Sequence, residues 1–173
     1  MPQAPHGPLE PSPWIVRHAP LVPAGGAVLD VAAGGGRHAR LFLERGHAVT
    51  AVDRDVGGLA PARHLTIVQA DLEDGSPWPF AGLRFAGVVV TNYLHRPLLP
   101  PLVAAVAPGG ALLYETFAAG NGRFGKPSNP AFLLNPGELL EAVRGHLRVV
   151  AYENVVISAP RPAAVQRIAA VRL

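Results

Sequence analysis

Three observations predict an α/β fold for this 173-residue chain, a mostly parallel sheet with helices on both faces and a C-terminal antiparallel hairpin. Short apolar runs such as AVLDVA (27–32) and RFAGVVVTN (84–92) read as parallel strands buried on both sides. Segments of helical periodicity fall between such runs, as parallel crossovers require. The last two runs are joined only by APRP (159–162), so they must pair antiparallel.

Taken in order, residues 2–23 hold seven of the 19 prolines, which bars a regular helix or central strand at the start. Residues 1–11 are expected to be a flexible Pro-rich arm, and 12–173 a single domain, the number this length favours. SPWIVRHA (12–19) offers a Ser N-cap, a first-turn Pro and apolar Trp14, Ile15 and Ala19 for a short helix. AVLDVA is the first strand. After three glycines, residues 37–46 read as a helix with Leu41 buried and Gly46 at its C-terminus. HAVTAVD (47–53) is the second strand and LTIVQAD (65–71) the third. Gly57, Gly58 and Pro61 leave the crossover between them little room for a helix. The fourth strand spans 84–92, and apolar Leu98, Leu102, Val103 and Val106 mark a helix over 98–107, stopped by Pro108-Gly109-Gly110. ALLYETF (111–117) is the fifth strand. The stretch Ala118–Asn135 is long enough to suggest a functional loop, here a mobile lid. Residues 136–145 form a helix with Asn135 as N-cap, and strands 147–158 and 163–173 close the chain.

Apolar residues make up 49% of the chain against 16% charged, enough to build a core and too apolar for global disorder. The net charge of +3 comes from 15 basic residues, all but Lys126 being Arg, scattered singly rather than clustered. That dispersal weighs against nucleic-acid binding. With no Cys there is no disulfide, thiolate zinc site or Cys nucleophile. No His pair shows metal-ligand spacing supported by acids, so no metal is expected. The start lacks a signal-like apolar region, and the apolar stretch 98–117 is broken by Pro and Gly; neither secretion nor a membrane span is expected, which leaves the cytoplasm.

The most informative segment is VLDVAAGGGRHA with Asp53 at the end of the next strand. Glycines between strand and helix let a ligand approach the backbone, and a helix N-terminus attracts an anion. An acid at the second strand suits the two hydroxyls of a ribose. Gly34, Gly36 and Ala39 also satisfy the dinucleotide pattern G-x-G-x-x-A, so a nicotinamide oxidoreductase competes. Against it stand Asp30, which would repel a pyrophosphate, the lack of a Tyr-x-x-x-Lys pair, and the closing hairpin.

Over Pro13–Leu173 the chain resembles the class I S-adenosylmethionine-dependent methyltransferases. VLDVAAGGG, AVDRD, QADLEDGSPWPF, GVVVTNYLH and LLYETF look like that family's successive motifs. The combination of GHAVTAVDRD, NYLHRPLLP and YETFAAGNGRFGKP is similar to small bacterial methyltransferases grouped with the tellurite-resistance enzymes. The resemblance implies a Rossmann-like sheet of order 3-2-1-4-5-7-6 and methyl transfer from S-adenosylmethionine, with S-adenosylhomocysteine as product. It places Ala32, Gly34 and Gly36 against the methionine part of the cofactor, Asp30 near the ammonium, and Asp53 with Arg54 at the ribose. Asp71 and the Leu72 backbone would meet the adenine, and Asn92 the methionine end. Ala32 and Ala33 depart from the family, which frequently has Gly or Cys there.

A sulfonium methyl is already activated, so the protein need mainly align it with an acceptor and exclude water. For an amine or hydroxyl acceptor, His95 or Glu115 is a candidate base; for a soft anion, Arg96 and Lys126 are candidate orienting charges. Tyr93 shares that rim, and Phe124 is an aromatic the lid can close on a small-molecule acceptor. A noncatalytic nucleotide-binding protein of the same fold is the other competitor.

Overall fold

The computed structural model describes residues 10–173. Its elements are α1 (Pro13–His18), β1 (Val28–Val31), α2 (Arg37–Glu44), β2 (Val49–Asp53), β3 (Leu65–Gln69), β4 (Phe85–Thr91), α3 (Leu99–Ala104), β5 (Val106–Phe117), α4 (Glu138–Val143), β6 (Arg148–Ile157) and β7 (Ala163–Val171). The strands form one sheet of order β3-β2-β1-β4-β5-β7-β6, parallel as far as β5 and antiparallel through β7 and β6. Order, hairpin and two-sided cover agree with the expectation from sequence.

The two-residue period of a strand divides the core. Leu29, Val31, Val88, Val90, Leu112, Tyr114 and Ile168 face α3 and α4 on one side. Val28, Val89, Leu113 and Ala169 face α1 and α2 on the other, with Trp14, Ile15 and Phe42. Burying each large side chain contributes about 1.5–3 kcal/mol. The same period puts Asp30, Thr91, Glu115 and Arg167 on the α1/α2 side, near the carboxyl ends of the parallel strands.

Several boundaries differ from the sequence reading, each for a tertiary reason. In α2 the core residues are His38, Ala39 and Phe42, while Leu41 is half-buried, because a helix starting at Arg37 turns its i, i+1 and i+4 positions inward. The helix expected over 98–107 is only Leu99–Ala104, and β5 starts at Val106 instead of 111. Residues 107–110 bulge out between the pairs Phe85↔Val106 and Gly87↔Ala111. Arg172 holds that bulge, donating its backbone N–H to Gly110 O and accepting from Gly109 N. Its guanidinium caps carbonyls of Val103 and Val106. In α4 the N-cap is Gly137, at φ +76°, instead of Asn135. The helix therefore starts two residues later than expected, and Glu138 reaches back to accept the Asn135 N–H at 2.8 Å.

The arm expected over residues 1–11 falls mostly outside the described residues. Of its described residues, Glu10 accepts from the Arg37 guanidinium through its carbonyl oxygen. Among the described residues no helix is long and apolar enough to cross a membrane.

Candidate functional site

The carboxyl ends of β1, β2, β3, β4 and β5 open into a cavity of about 490 Å³. Its wall includes Ala32 after β1, Asp53 and Arg54 at β2, Asp71 to Glu73 after β3, Asn92 to Leu94 after β4, and Thr116 and Phe117 of β5, with Pro127 and Phe132 from the following loop. A second cavity, about 440 Å³, shares Arg54, Ala70, Asp71 and Leu72 with it and extends to Trp78. This is where an open α/β sheet binds ligands.

The glycine turn is held from two sides. Asp53 Oδ2 accepts the Gly34 N–H at 2.8 Å, and Arg40 donates to Gly35 O at 2.8 Å. Nothing lies within 4 Å of where a Cβ would stand on Gly34 or Gly35, so a ligand can approach their backbone. At Gly36, with φ +80°, a Cβ would meet Leu59 at 2.8 Å, so Gly alone fits. Ala32 (φ 54°) and Asn92 (φ 53°) are left-handed non-glycines that border the cavity at the ends of β1 and β4. Strain of this kind concentrates at functional sites.

Asp53 also accepts the Asp55 N–H through Oδ1 at 3.0 Å, so it organises its own turn as well as the glycines. A carboxylate has about four acceptor positions, which leaves two for ribose hydroxyls. Asp71 spends one oxygen on the Glu73 N–H at 2.9 Å. Asp30 differs from both: it is 2% exposed, and its Oδ2 is buried with no hydrogen-bond partner among the described residues. Burial pushes its carboxyl up to about 7, against the pull of the Ala39 N–H and the Arg37 charge. Asp30 is not among the residues that line the cavity: its carboxyl is held by the Ala39 N–H of α2, at the end of the strand that leads into the glycine turn, with one buried oxygen left orphaned.

The expected acceptor residues separate into two sets. Tyr93 lines the cavity. His95 is not among the lining residues, but its Nδ1 lies 3.2 Å from Oε1 of Glu73, which is, an ion pair or hydrogen bond that sequence reading missed. With Nδ1–H held by Glu73, a neutral ring keeps Nε2 as acceptor. Glu115 is not available as a base: it is 9% exposed and bonded to Ser12 Oγ at 2.7 Å and Arg167 at 3.0 Å. Arg96 is not available to a substrate either. Its guanidinium is committed to Glu138 and to the carbonyls of Ala131 and Leu133. Phe124 and Lys126 are exposed on the outer turn of the loop, outside the cavity wall, with Arg123 over the Phe124 ring at 4.7 Å. The loop itself is anchored at its base, where buried Asn121 donates to Pro127 O and accepts the Ala164 N–H. The ring it brings to the cavity is Phe132.

His38 is a second residue that sequence reading missed. It is buried, its Nε2 accepts the Ser12 N–H at 3.0 Å, and Nδ1 lies 3.3 Å from Thr91 Oγ1. Burial, with the Arg37 charge, pushes it down to about 3, so the ring is neutral with its proton on Nδ1. Thr91, Glu115, Arg167 and Glu153 lie on one rung across β4, β5, β7 and β6. Ser12 and Trp14 close over that row, Trp14 with its ring 4.8 Å from the Arg167 guanidinium. No signal in the sequence pairs residues this far apart.

No protein-family model and no curated protein matches the sequence. Solved structures do. The 1,6-didemethyltoxoflavin-N1-methyltransferase of Burkholderia thailandensis, solved with 1,6-didemethyltoxoflavin and S-adenosylhomocysteine, aligns at TM-score 0.66 and 22% identity over 92% of this chain and 76% of its own. TehB from Haemophilus influenzae aligns at TM-score 0.69 and 16% identity over 92% of this chain, which spans 61% of TehB. The fold is that of the S-adenosylmethionine-dependent methyltransferases. A glycopeptide N-methyltransferase, MtfA, in complex with sinefungin, matches the methyltransferase fold over the whole chain and 98% of its own, at TM-score 0.63 and 22% identity. Among the described residues no cluster of three or more His, Cys, Asp or Glu side chains is placed to hold a metal ion.

Proposed function

We infer that residues 12–173 form an S-adenosylmethionine-dependent methyltransferase domain that acts on a small molecule in a bacterial cytoplasm. The observation that carries the reading is the open glycine turn held by Asp53, which lines the cavity together with Asp71 after the next strand, while the strand before the turn holds Asp30 with a buried, unpartnered oxygen. A ligand with an ammonium, a ribose and an adenine presents donors to three carboxylates in that order. A dinucleotide would bring a pyrophosphate toward Asp30 instead.

The cofactor supplies an activated methyl group. Asp30 would face its ammonium, Asp53 its ribose hydroxyls with Arg54 alongside, and Asp71 with the Leu72 N–H its adenine. Ala32, Gly34, Gly36 and Asn92 would shape the methionine end. Tyr93 and Phe132 would border the acceptor, and His95, paired with Glu73 of the wall, would accept its proton. The fold neighbours support this reading, since two of them were solved with S-adenosylhomocysteine and with sinefungin bound. Calorimetric titration of the full chain with S-adenosylmethionine, S-adenosylhomocysteine and NADH tests it. Saturable binding of the first two and none of NADH is expected; the reverse order would replace the methyltransferase by an oxidoreductase.

A further inference from the structure

The acceptor end of the cavity is apolar and its charged rim is acidic. Tyr93, Leu94, Phe117, Pro127 and Phe132 supply flat or aliphatic surface, and Phe132 stays 49% exposed although it lines the cavity. Three carboxylates, Asp53, Asp71 and Glu73, stand in the wall against one cation, Arg54. Tyr93 registers this field: after burial, Glu73, Asp71 and Asp53 push its hydroxyl up to about 12, with only Arg54 opposing. The two cations that would orient an anionic acceptor are elsewhere, Arg96 tied to Glu138 and Lys126 on the outer turn of the loop.

Resting on the methyltransferase reading, we propose that the methyl acceptor is a neutral, planar aromatic or heteroaromatic molecule that lies against Phe132, Pro127, Phe117 and Tyr93, and not an oxyanion. Charge and chemistry narrow the class together. With Asp53 and Asp71 turned to the ribose and adenine of the cofactor, an anion entering this cleft still meets the Glu73 carboxylate, and like charges at close range repel in a partly desolvated site. A protonated amine is tolerated by the field but has no lone pair to offer. A neutral nucleophile satisfies both conditions. As its lone pair forms the bond to the methyl carbon, the carbon–sulfur bond breaks and leaves its electron pair on sulfur. Positive charge then passes from sulfur to the accepting atom beside the Glu73 carboxylate, until the acceptor's N–H or O–H proton leaves to His95. Ring faces favour offset or edge contacts with such an acceptor, and among the described residues the exposed Phe132 ring has no aromatic partner.

The test keeps the plane and changes the charge. Benzimidazole and benzimidazole-5-carboxylate are titrated by ligand-observed NMR into the full chain saturated with S-adenosylhomocysteine, whose own binding is followed by calorimetry. For a fragment of this size a Kd on the order of 1 mM is expected for benzimidazole. The carboxylate should bind about fivefold more weakly, and Glu73→Gln should narrow that gap. Phe132→Ala, a surface change that leaves the fold intact, should weaken benzimidazole about fivefold. In a parallel assay, label from S-adenosylmethionine should not reach tellurite. Labelled tellurite, a carboxylate that binds as tightly as its neutral parent, no benzimidazole binding, or an affinity indifferent to Phe132→Ala would each overturn the acceptor class while S-adenosylhomocysteine still binds. Loss of S-adenosylhomocysteine binding would instead overturn the methyltransferase reading, and the acceptor class with it.

Discussion

Burial pushes the Asp30 carboxyl from an ordinary 3.8 up to about 7, and the sign of its effect on stability follows. The folded state then holds a proton that the unfolded chain has lost, so the penalty is absent below about pH 4, grows as pH rises, and is complete above about pH 7. Asp30→Asn removes it: the gain in stability should be larger at about pH 8 than at about pH 5, by roughly 2 kcal/mol, read from denaturant melts. The same variant should lose cofactor affinity, which separates stability from function at one position. Asp53 presents the opposite case. Its oxygens are at work in the free protein, yet Asp53→Ala should leave a folded chain whose S-adenosylmethionine binding is weaker by about 1.5–3 kcal/mol in calorimetry. Asp71→Ala should act selectively on adenine-amine contacts; an equal loss across purine analogues would point to misfolding. The three carboxylates were legible in the sequence because each stands at or beside the carboxyl end of an apolar run. The orphaned oxygen was not, because burial of Asp30 depends on α2 and on residues around Arg37.

Between elements, the unexpected finding is how much of the predicted acceptor machinery serves as fastening. Arg96, read as a substrate anchor, joins the turn after β4 to the Ala131–Leu133 leg of the loop and to α4. Arg96→Met should cost about 1–2 kcal/mol, allowing for its partial exposure, and should speed hydrogen exchange at Leu133 without touching β1 or β2. Glu115, read as a base, fixes Ser12 and so the start of α1. His38→Ala would leave the buried Ser12 N–H without its acceptor, at a cost of about 1–3 kcal/mol, with α1 amides exchanging sooner than those of the sheet. The lid reading keeps its test in altered form. Asn121 pins the base of the loop, so fast exchange that slows with ligand is expected at Gly122, Gly125 and Lys126, whereas Ala119 and Asn121 should be protected throughout. Sequence alone marked this stretch by its length and its Gly and Pro content. It gave no sign that Phe132, and not Phe124, would reach the cavity, because that choice depends on an arginine some 36 positions away.

For the molecule as a whole, the α/β pattern and strand order were readable because local signals agree: buried runs, short turns, and a closing link too short to cross over. The β5 start differs because Pro108-Gly109-Gly110 signals a turn in isolation, while the Val106 pair with Phe85 of β4 and the backbone bonds with Arg172 carry the strand through it. A ligand bound across the ends of five strands should stabilise them jointly. S-adenosylhomocysteine at about a hundred times its Kd adds roughly 2.7 kcal/mol, a rise of about 5–10 °C in Tm for a chain of this size, which a thermal melt will show. The placement of β7 between β5 and β6 has a further consequence for how the chain assembles. On a ribosome, β6 emerges with no neighbour to pair with, since its slot beside β5 belongs to a segment not yet made. Until that segment arrives, nascent β5 keeps a bare edge and the valines of β6 stay open to other chains. The hairpin must therefore close first and dock as a unit, so a stalled or clipped polypeptide lacking 163–171 is the form most prone to aggregate.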